Sequence, residues 1–139
     1  MIARDLYLEQ LRFYIDKPFI KIITGIRRSG KSTVLLLLRE KLLEQGVKLG
    51  QIIYVNFESF AFSDLSTAEN LYGYISSRIQ EDKKNYLLLD EIQEVKDWEK
   101  CINSLMIDFQ VDIYLTGSNS HLLSSELATF LAEIGRAHV

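Results

Sequence analysis

Phe19-Ile20-Lys21-Ile22-Ile23-Thr24-Gly25-Ile26-Arg27-Arg28-Ser29-Gly30-Lys31-Ser32-Thr33 decides the fold of this chain. A short apolar, β-branched run ends at Thr24-Gly25. A leucine-rich stretch of helical character then runs from Gly30 to Gln45 and stops at Gly46, a residue suited to capping a helix C-terminus. Between strand and helix, Gly25 to Ser32 matches G-x-x-x-x-G-K-[ST] without a mismatch. Gly25 and Gly30 let the backbone curl so that successive N–H groups face an anion. The helix that starts there adds unpaired N–H groups and a positive dipole end. The segment Gly25, Ile26, Arg27, Arg28, Ser29, Gly30, Lys31, Ser32 and Thr33 is therefore expected to cradle a nucleotide's phosphates. Lys31 reaches the β- and γ-phosphates and the Ser32 hydroxyl ligates Mg²⁺. Arg27 and Arg28 either neutralise phosphate charge or meet a partner; the competing reading is plain solvated loop arginines.

Downstream, Tyr86-Leu87-Leu88-Leu89-Asp90-Glu91 is an apolar strand ending in two carboxylates. Such a strand carries Asp90 to the C-terminal edge of a sheet, where ligands of open α/β folds bind. Asp90 is expected to hold the Mg²⁺ shell and Glu91 to position the attacking water, as hydrolysis of ATP requires. Alone, the pair would read as a capping Asp and a solvated Glu. Two further strands are expected, Gln51–Phe57 and Val111–Leu115, and near-continuous apolar runs of this kind suit a parallel sheet buried on both faces. Val111–Leu115 leads into Thr116-Gly117-Ser118-Asn119-Ser120, where Asn119, ahead of Ser118, is the candidate to sense the γ-phosphate; a plain turn is the competing reading. Asn56 at the end of the second strand could hydrogen-bond Glu91 and restrain it; the competing reading is a turn former, the commoner role of an asparagine at a strand end. The intervening segments have helical period. Leu6, Leu11 and Ile15 precede the first strand. Ser66 with Glu69 forms a capping box ahead of Leu71, Ile75 and Ile79. Trp98, Ile102, Leu105 and Phe109 form an apolar stripe. The β-α-β-α-β-α-β order argues for α/β architecture with right-handed crossovers.

The 139 residues fit one domain, and a hydrophobic content of 47% is that of an ordinary globular chain. A net charge of −3 and a pI near 5.4 give no overall basic footprint for nucleic acid, though a local basic patch is still allowed. One cysteine, Cys101, excludes an internal disulfide and points to a reducing, cytoplasmic setting. The apolar run Val34–Leu38 is far too short to cross a bilayer, so no membrane is expected. Cys101, His121 and Trp98 are read as structural rather than catalytic.

The arginine-bearing loop Ile23–Thr33, Leu89-Asp90-Glu91-Ile92-Gln93 with Trp98-Glu99, and Thr116–Ser120 with Ser124-Ser125-Glu126-Leu127 together resemble a family of prokaryotic AAA-type P-loop ATPases. Its members have an AAA-like N-terminal domain and a C-terminal region of obscure function. The resemblance implies a three-layer P-loop fold of the additional-catalytic-glutamate type, with strand order 5-1-4-3-2 and ATP and Mg²⁺ as cofactors. It also implies a longer protein that often carries a DNA-binding-like module, which leaves room for a DNA or protein partner and for oligomerisation. The family pattern departs after Ala132. Glu133-Ile134-Gly135-Arg136-Ala137-His138-Val139 resembles a translated sequencing adapter, so residues 1–132 are expected to be the ATPase core and 133–139 a non-native tail. The fifth strand and the lid are then expected to be missing, and Arg136 is not assigned as an arginine finger. The function expected is Mg·ATP hydrolysis that drives or gates a partner or DNA interaction. The alternatives are a nucleotide-gated switch with little turnover and a P-loop kinase, which the second acid disfavours.

Overall fold

The computed structural model describes residues 9, 12–13, 15–17, 20–23, 28–118 and 131–134, with backbone alone for 28–31 and 131–134. Five strands, β1 (Ile20–Ile23), β2 (Ile52–Asn56), β3 (Asn85–Asp90), β4 (Val111–Thr116) and β5 (Leu131–Ile134), form one sheet in the order β2-β3-β4-β1-β5. All pairs are parallel. Read from the other edge, this is the 5-1-4-3-2 order that the family resemblance implies.

The helices follow from where apolar side chains need cover. Helix α1 (Arg28–Glu44) lies on one face, where Val34, Leu35, Leu38 and Leu42 meet Ile23, Tyr86, Leu88 and Tyr114. Helices α2 (Ala68–Ser76) and α3 (Trp98–Asp108) lie on the other, burying Leu71, Ile75, Trp98, Cys101, Ile102 and Leu105 against Ile22, Val55, Leu87, Leu89 and Ile113. Alternate residues of each strand feed opposite faces. That is why β3, in the middle of the sheet, is buried at all six positions, while β2 at the edge alternates buried and half-buried. Each fully buried leucine contributes about 1.5–3 kcal/mol of transfer free energy.

Local chemistry sets most boundaries. Helix α1 ends at Gly46, whose φ of +98° is left-handed. Val47 N–H donates to Leu42 O at 3.0 Å and Gly46 N–H to Leu43 O at 3.1 Å, the two bonds of a Schellman cap. The start of α2 corrects the sequence reading. Thr67, not Ser66, is the N-cap, and its hydroxyl accepts from Asn70 N–H at 3.2 Å. Ser66 lies outside the helix, and its carbonyl accepts from Lys96 N–H at 2.9 Å, beside a parallel bridge between Thr67 and Lys96. The helix expected ahead of β1 lies largely outside the described residues.

Strand β5 is a second correction. The fifth strand was expected to be missing, yet Leu131–Ile134 pairs with β1 from Ile20↔Leu131 to Ile23↔Ile134. Strand pairing uses backbone N–H and C=O groups, and Leu-Ala-Glu-Ile has no proline or glycine to stop it. The family pattern after Ala132 does not bear on that capacity.

A buried polar cluster sits toward the N-terminal ends of the strands, on the α1 face. Lys21 and Asp112 are 0% and 2% exposed, and Lys21 Nζ lies 2.5 Å from Asp112 Oδ1 and 2.5 Å from Lys17 O. Asp112 Oδ2 accepts from Tyr114 Oη at 2.6 Å and from Asp16 N–H at 2.8 Å. Burial pushes the Lys21 ammonium below its ordinary value, with Asp112 opposing the shift. The cluster closes the end of the sheet opposite the candidate site.

Candidate functional site

The C-terminal ends of the parallel strands bring four chain segments together. In register, Asn56 lies beside Asp90, Leu89 beside Leu115, and Ile23 beside Thr116. One row of residues across the sheet thus holds Asn56, Asp90, Thr116 and the exit of β1 toward α1. The order of the strands puts β4 between β1 and β3, so Thr116 stands next to the acidic pair.

Asp90 is fully buried and sits among three hydroxyls. Ser32 Oγ, in the first turns of α1, donates to its Oδ2. Thr116 Oγ1 donates to its Oδ1 at 2.5 Å. Tyr54 Oη of β2 lies 3.4 Å from Oδ2, a long contact. Burial, followed by the charge of Asp90, pushes the Tyr54 phenol up to about 12, so it stays protonated as a donor. Thr116 also accepts from the Glu91 N–H at 2.9 Å. That bond fixes the hydroxyl proton on the Asp90 side, and one side chain ties both acidic residues to β4.

Glu91 is itself buried, at 4% exposure, and adopts φ 63°, ψ 53°. A left-handed glutamate costs about 1–2 kcal/mol. The conformation ends β3 abruptly and turns the chain into the short 3₁₀ turn Ile92–Glu94. Gln93 Nε2 donates to Glu91 Oε1 at 2.7 Å. Asn56, expected to restrain Glu91, uses its side-chain oxygen to accept from Glu58 N–H at 3.0 Å, which is turn chemistry.

The sequence-derived candidates divide accordingly. Ser32, Asp90 and Glu91 come together, and Thr33 follows Ser32 half-buried on α1. The backbones of Arg28, Ser29, Gly30 and Lys31 form the start of α1. Gly25, Ile26, Arg27 and Asn119 lie outside the described residues, as do the side chains of Arg28 and Lys31. The sequence reading missed two residues, Thr116 and Gln93. For Thr116 a signal was available: it is a polar residue ending a buried strand one place from the strand that carries the acids.

The donor set suits a hard divalent cation. Ser32 and Asp90 present a hydroxyl and a carboxylate in contact, and Mg²⁺ takes few protein oxygens while keeping water and substrate phosphates as its other ligands. Among the described residues, no cluster of three or more His, Cys, Asp or Glu offers an all-protein metal site.

A parallel 5-1-4-3-2 sheet, a helix that starts just beyond the first strand, and a carboxylate meeting that helix from a neighbouring strand define a nucleotide-binding α/β domain of the P-loop type. The family model for the AAA domain matches residues 17–138, and the chain belongs to that family. It is 45% identical over 133 residues to an uncharacterized protein of Haemophilus influenzae, covering 95% of this chain and 33% of that protein. An uncharacterized protein of Methanocaldococcus jannaschii is 37% identical over 113 residues, covering 81% of this chain and 24% of its own length. A second protein of that archaeon is 26% identical over 120 residues, with 84% and 25% covered. The chain therefore spans a third or less of the relatives it matches. Among the described residues, no helix is long and apolar enough to cross a membrane.

Proposed function

We propose that this domain binds Mg·ATP with its triphosphate on the Gly25–Ser32 loop and hydrolyses it to ADP and phosphate. The observation that carries the reading is the direct meeting of Ser32 Oγ and Asp90 Oδ2, which joins the first helix to the third strand at the C-terminal edge of the sheet. Ligands of parallel α/β sheets bind at that edge.

Ser32 and Asp90 would hold Mg²⁺, which would supply charge neutralisation for the triphosphate. The amides that open α1 face the same phosphates, and the Lys31 ammonium adds a point charge there. Glu91 is the base. It takes a proton from water as the water oxygen bonds to the γ-phosphorus and the bond to the ADP oxygen breaks. Gln93 holds one carboxylate oxygen of Glu91 while Thr116 holds its backbone N–H, so the carboxylate is aimed before substrate arrives. Asn119 is assigned to the γ-phosphate. In the whole protein, the cycle drives or gates a protein or DNA partner.

Steady-state phosphate release by the full-length protein, measured with and without DNA, tests this reading. Glu91→Gln keeps ATP binding and loses turnover by at least about 10²-fold, the usual scale for removing a positioned general base. Turnover of Glu91→Gln at the wild-type rate removes Glu91 from the mechanism.

A further inference from the structure

Among the described residues β2 is the terminal strand of the sheet, and a cleft of about 400 Å³ lies against it, lined in part by Ile52, Ile53 and Tyr54. Its walls include Arg39, Tyr54, Tyr74, Arg78, Leu49 and Ile52. Two guanidiniums flank the edge from the two sides of the sheet. Arg39, on α1, lies over the Tyr54 ring at 5.8 Å. Arg78, two residues past the end of α2, lies over the Tyr74 ring at 3.6 Å. Neither arginine forms an ion pair among the described residues. Arg78 instead donates to Tyr74 O and Ser77 Oγ, both at 3.2 Å. In a chain of net charge −3, two guanidiniums on one cleft, with no carboxylate paired to either among the described residues, are a local reversal of sign.

We propose that this edge of β2 is a docking site for an extended acidic polypeptide segment, which adds to the sheet as a further strand between Arg39 and Arg78. The unpaired N–H and C=O groups of an edge strand supply the main-chain bonds of such an addition. Side chains of an added strand alternate between the two faces. Two consecutive acidic residues therefore reach Arg39 on one side and Arg78 on the other, each through a charge-assisted hydrogen bond. Exposed Leu49 and half-buried Ile52 offer apolar contact to flanking β-branched residues. Single-stranded nucleic acid fits less well. It needs free aromatic faces on which bases stack, and the guanidinium of Arg78 already covers Tyr74. Tyr54 reaches from this cleft to Asp90, so a segment that shifts Tyr54 also shifts the metal-binding carboxylate assigned above. That coupling rests on the proposed function, whereas docking does not.

Fluorescence anisotropy with a short labelled peptide, a Glu-Glu pair flanked by threonine and valine, tests the docking without nucleotide. The full-length protein is expected to bind it saturably and to bind the matched Gln-Gln peptide at least about tenfold more weakly. Arg39→Gln with Arg78→Gln should weaken binding by about 10²-fold, a tenfold loss per charged contact. Hydrogen exchange should slow at β2 amides when the Glu-Glu peptide is added. Equal binding of the two peptides by the wild-type protein, or unchanged β2 exchange under saturating peptide, overturns the proposal. So does an oligo-dT strand that displaces the peptide and loses affinity with the same arginine replacements, which would make the cleft a nucleic-acid groove.

Discussion

Replacing Thr116 by valine removes one hydroxyl and keeps the shape of the side chain, which makes it a clean probe of how the acidic pair is held. Thr116 is fully buried, so no water takes the place of the lost group. Two bonds vanish: the 2.5 Å donation to Asp90 Oδ1 and the 2.9 Å acceptance from Glu91 N–H. The bond to a carboxylate contributes about 1.5–3 kcal/mol. The Glu91 N–H, left without this acceptor, adds about 1–3 kcal/mol, so the total falls at roughly 3–5 kcal/mol. At about 3–5 °C per kcal/mol for a domain of this size, Tm drops by about 10–20 °C. Thr116→Ser keeps both bonds and loses one methyl, a cost of about 1 kcal/mol. Urea denaturation of both variants, with circular dichroism and tryptophan fluorescence as probes, gives the comparison. Thr116→Val within about 0.5 kcal/mol of wild type, or Thr116→Ser as unstable as the valine variant, refutes the view that this hydroxyl joins β4 to the acidic pair.

Lys21→Met is expected to cost about 3–5 kcal/mol in denaturant unfolding because it strands Asp112 in the core, and Lys21→Met with Asp112→Leu is expected to recover part of that loss. Gly46→Ala places a side chain at φ +98° and should destabilise by about 1–2 kcal/mol, whereas Gly73→Ala, inside α2 with open space around the added carbon, should stabilise by about 0.5–1 kcal/mol; thermal melts of the two read the opposite signs. The Cys101 thiol is buried, and burial pushes it up to about 12 from an ordinary value of 9.0. A thiol raised on folding favours the folded state below pH 9 and loses that contribution between pH 9 and 12. At pH 8 its thiolate fraction is about 10³-fold below that of the unfolded chain, so a chromogenic disulfide reagent should label the native protein only as fast as it unfolds; rapid native labelling contradicts the burial.

What the sequence made legible was what neighbouring residues decide among themselves. The four strands from β1 to β4 appear as apolar runs because each packs helices on its faces, and Gly46 marks the end of α1 because only glycine takes φ +98° there without strain. The meeting of Ser32, Asp90 and Glu91 was legible because the end of an apolar parallel strand and the start of the first helix both fall at the C-terminal edge of the sheet. Partnerships between distant residues were not readable. Lys21 looked like one polar position in a strand, and its partner is 91 residues away. The N-cap moved from Ser66 to Thr67 because Lys96, from a later segment, takes the Ser66 carbonyl. For Asn56 the sequence left a partner in Glu91 and a plain turn both open, and its side-chain oxygen turns the local chain. Strand β5 escaped because edge pairing asks little of side chains.

The proposed triphosphate site on Gly25–Ser32, with a metal ion shared with Asp90, can be measured directly. Isothermal titration of the full-length protein with ATP, at several Mg²⁺ concentrations, measures it. Wild type should bind with affinity that rises with Mg²⁺, Lys31→Ala should bind at least about tenfold more weakly, a loss of about 1.4 kcal/mol, and Asp90→Asn should lose the Mg²⁺ dependence. Affinity indifferent to Mg²⁺, or unchanged in Lys31→Ala, contradicts the account.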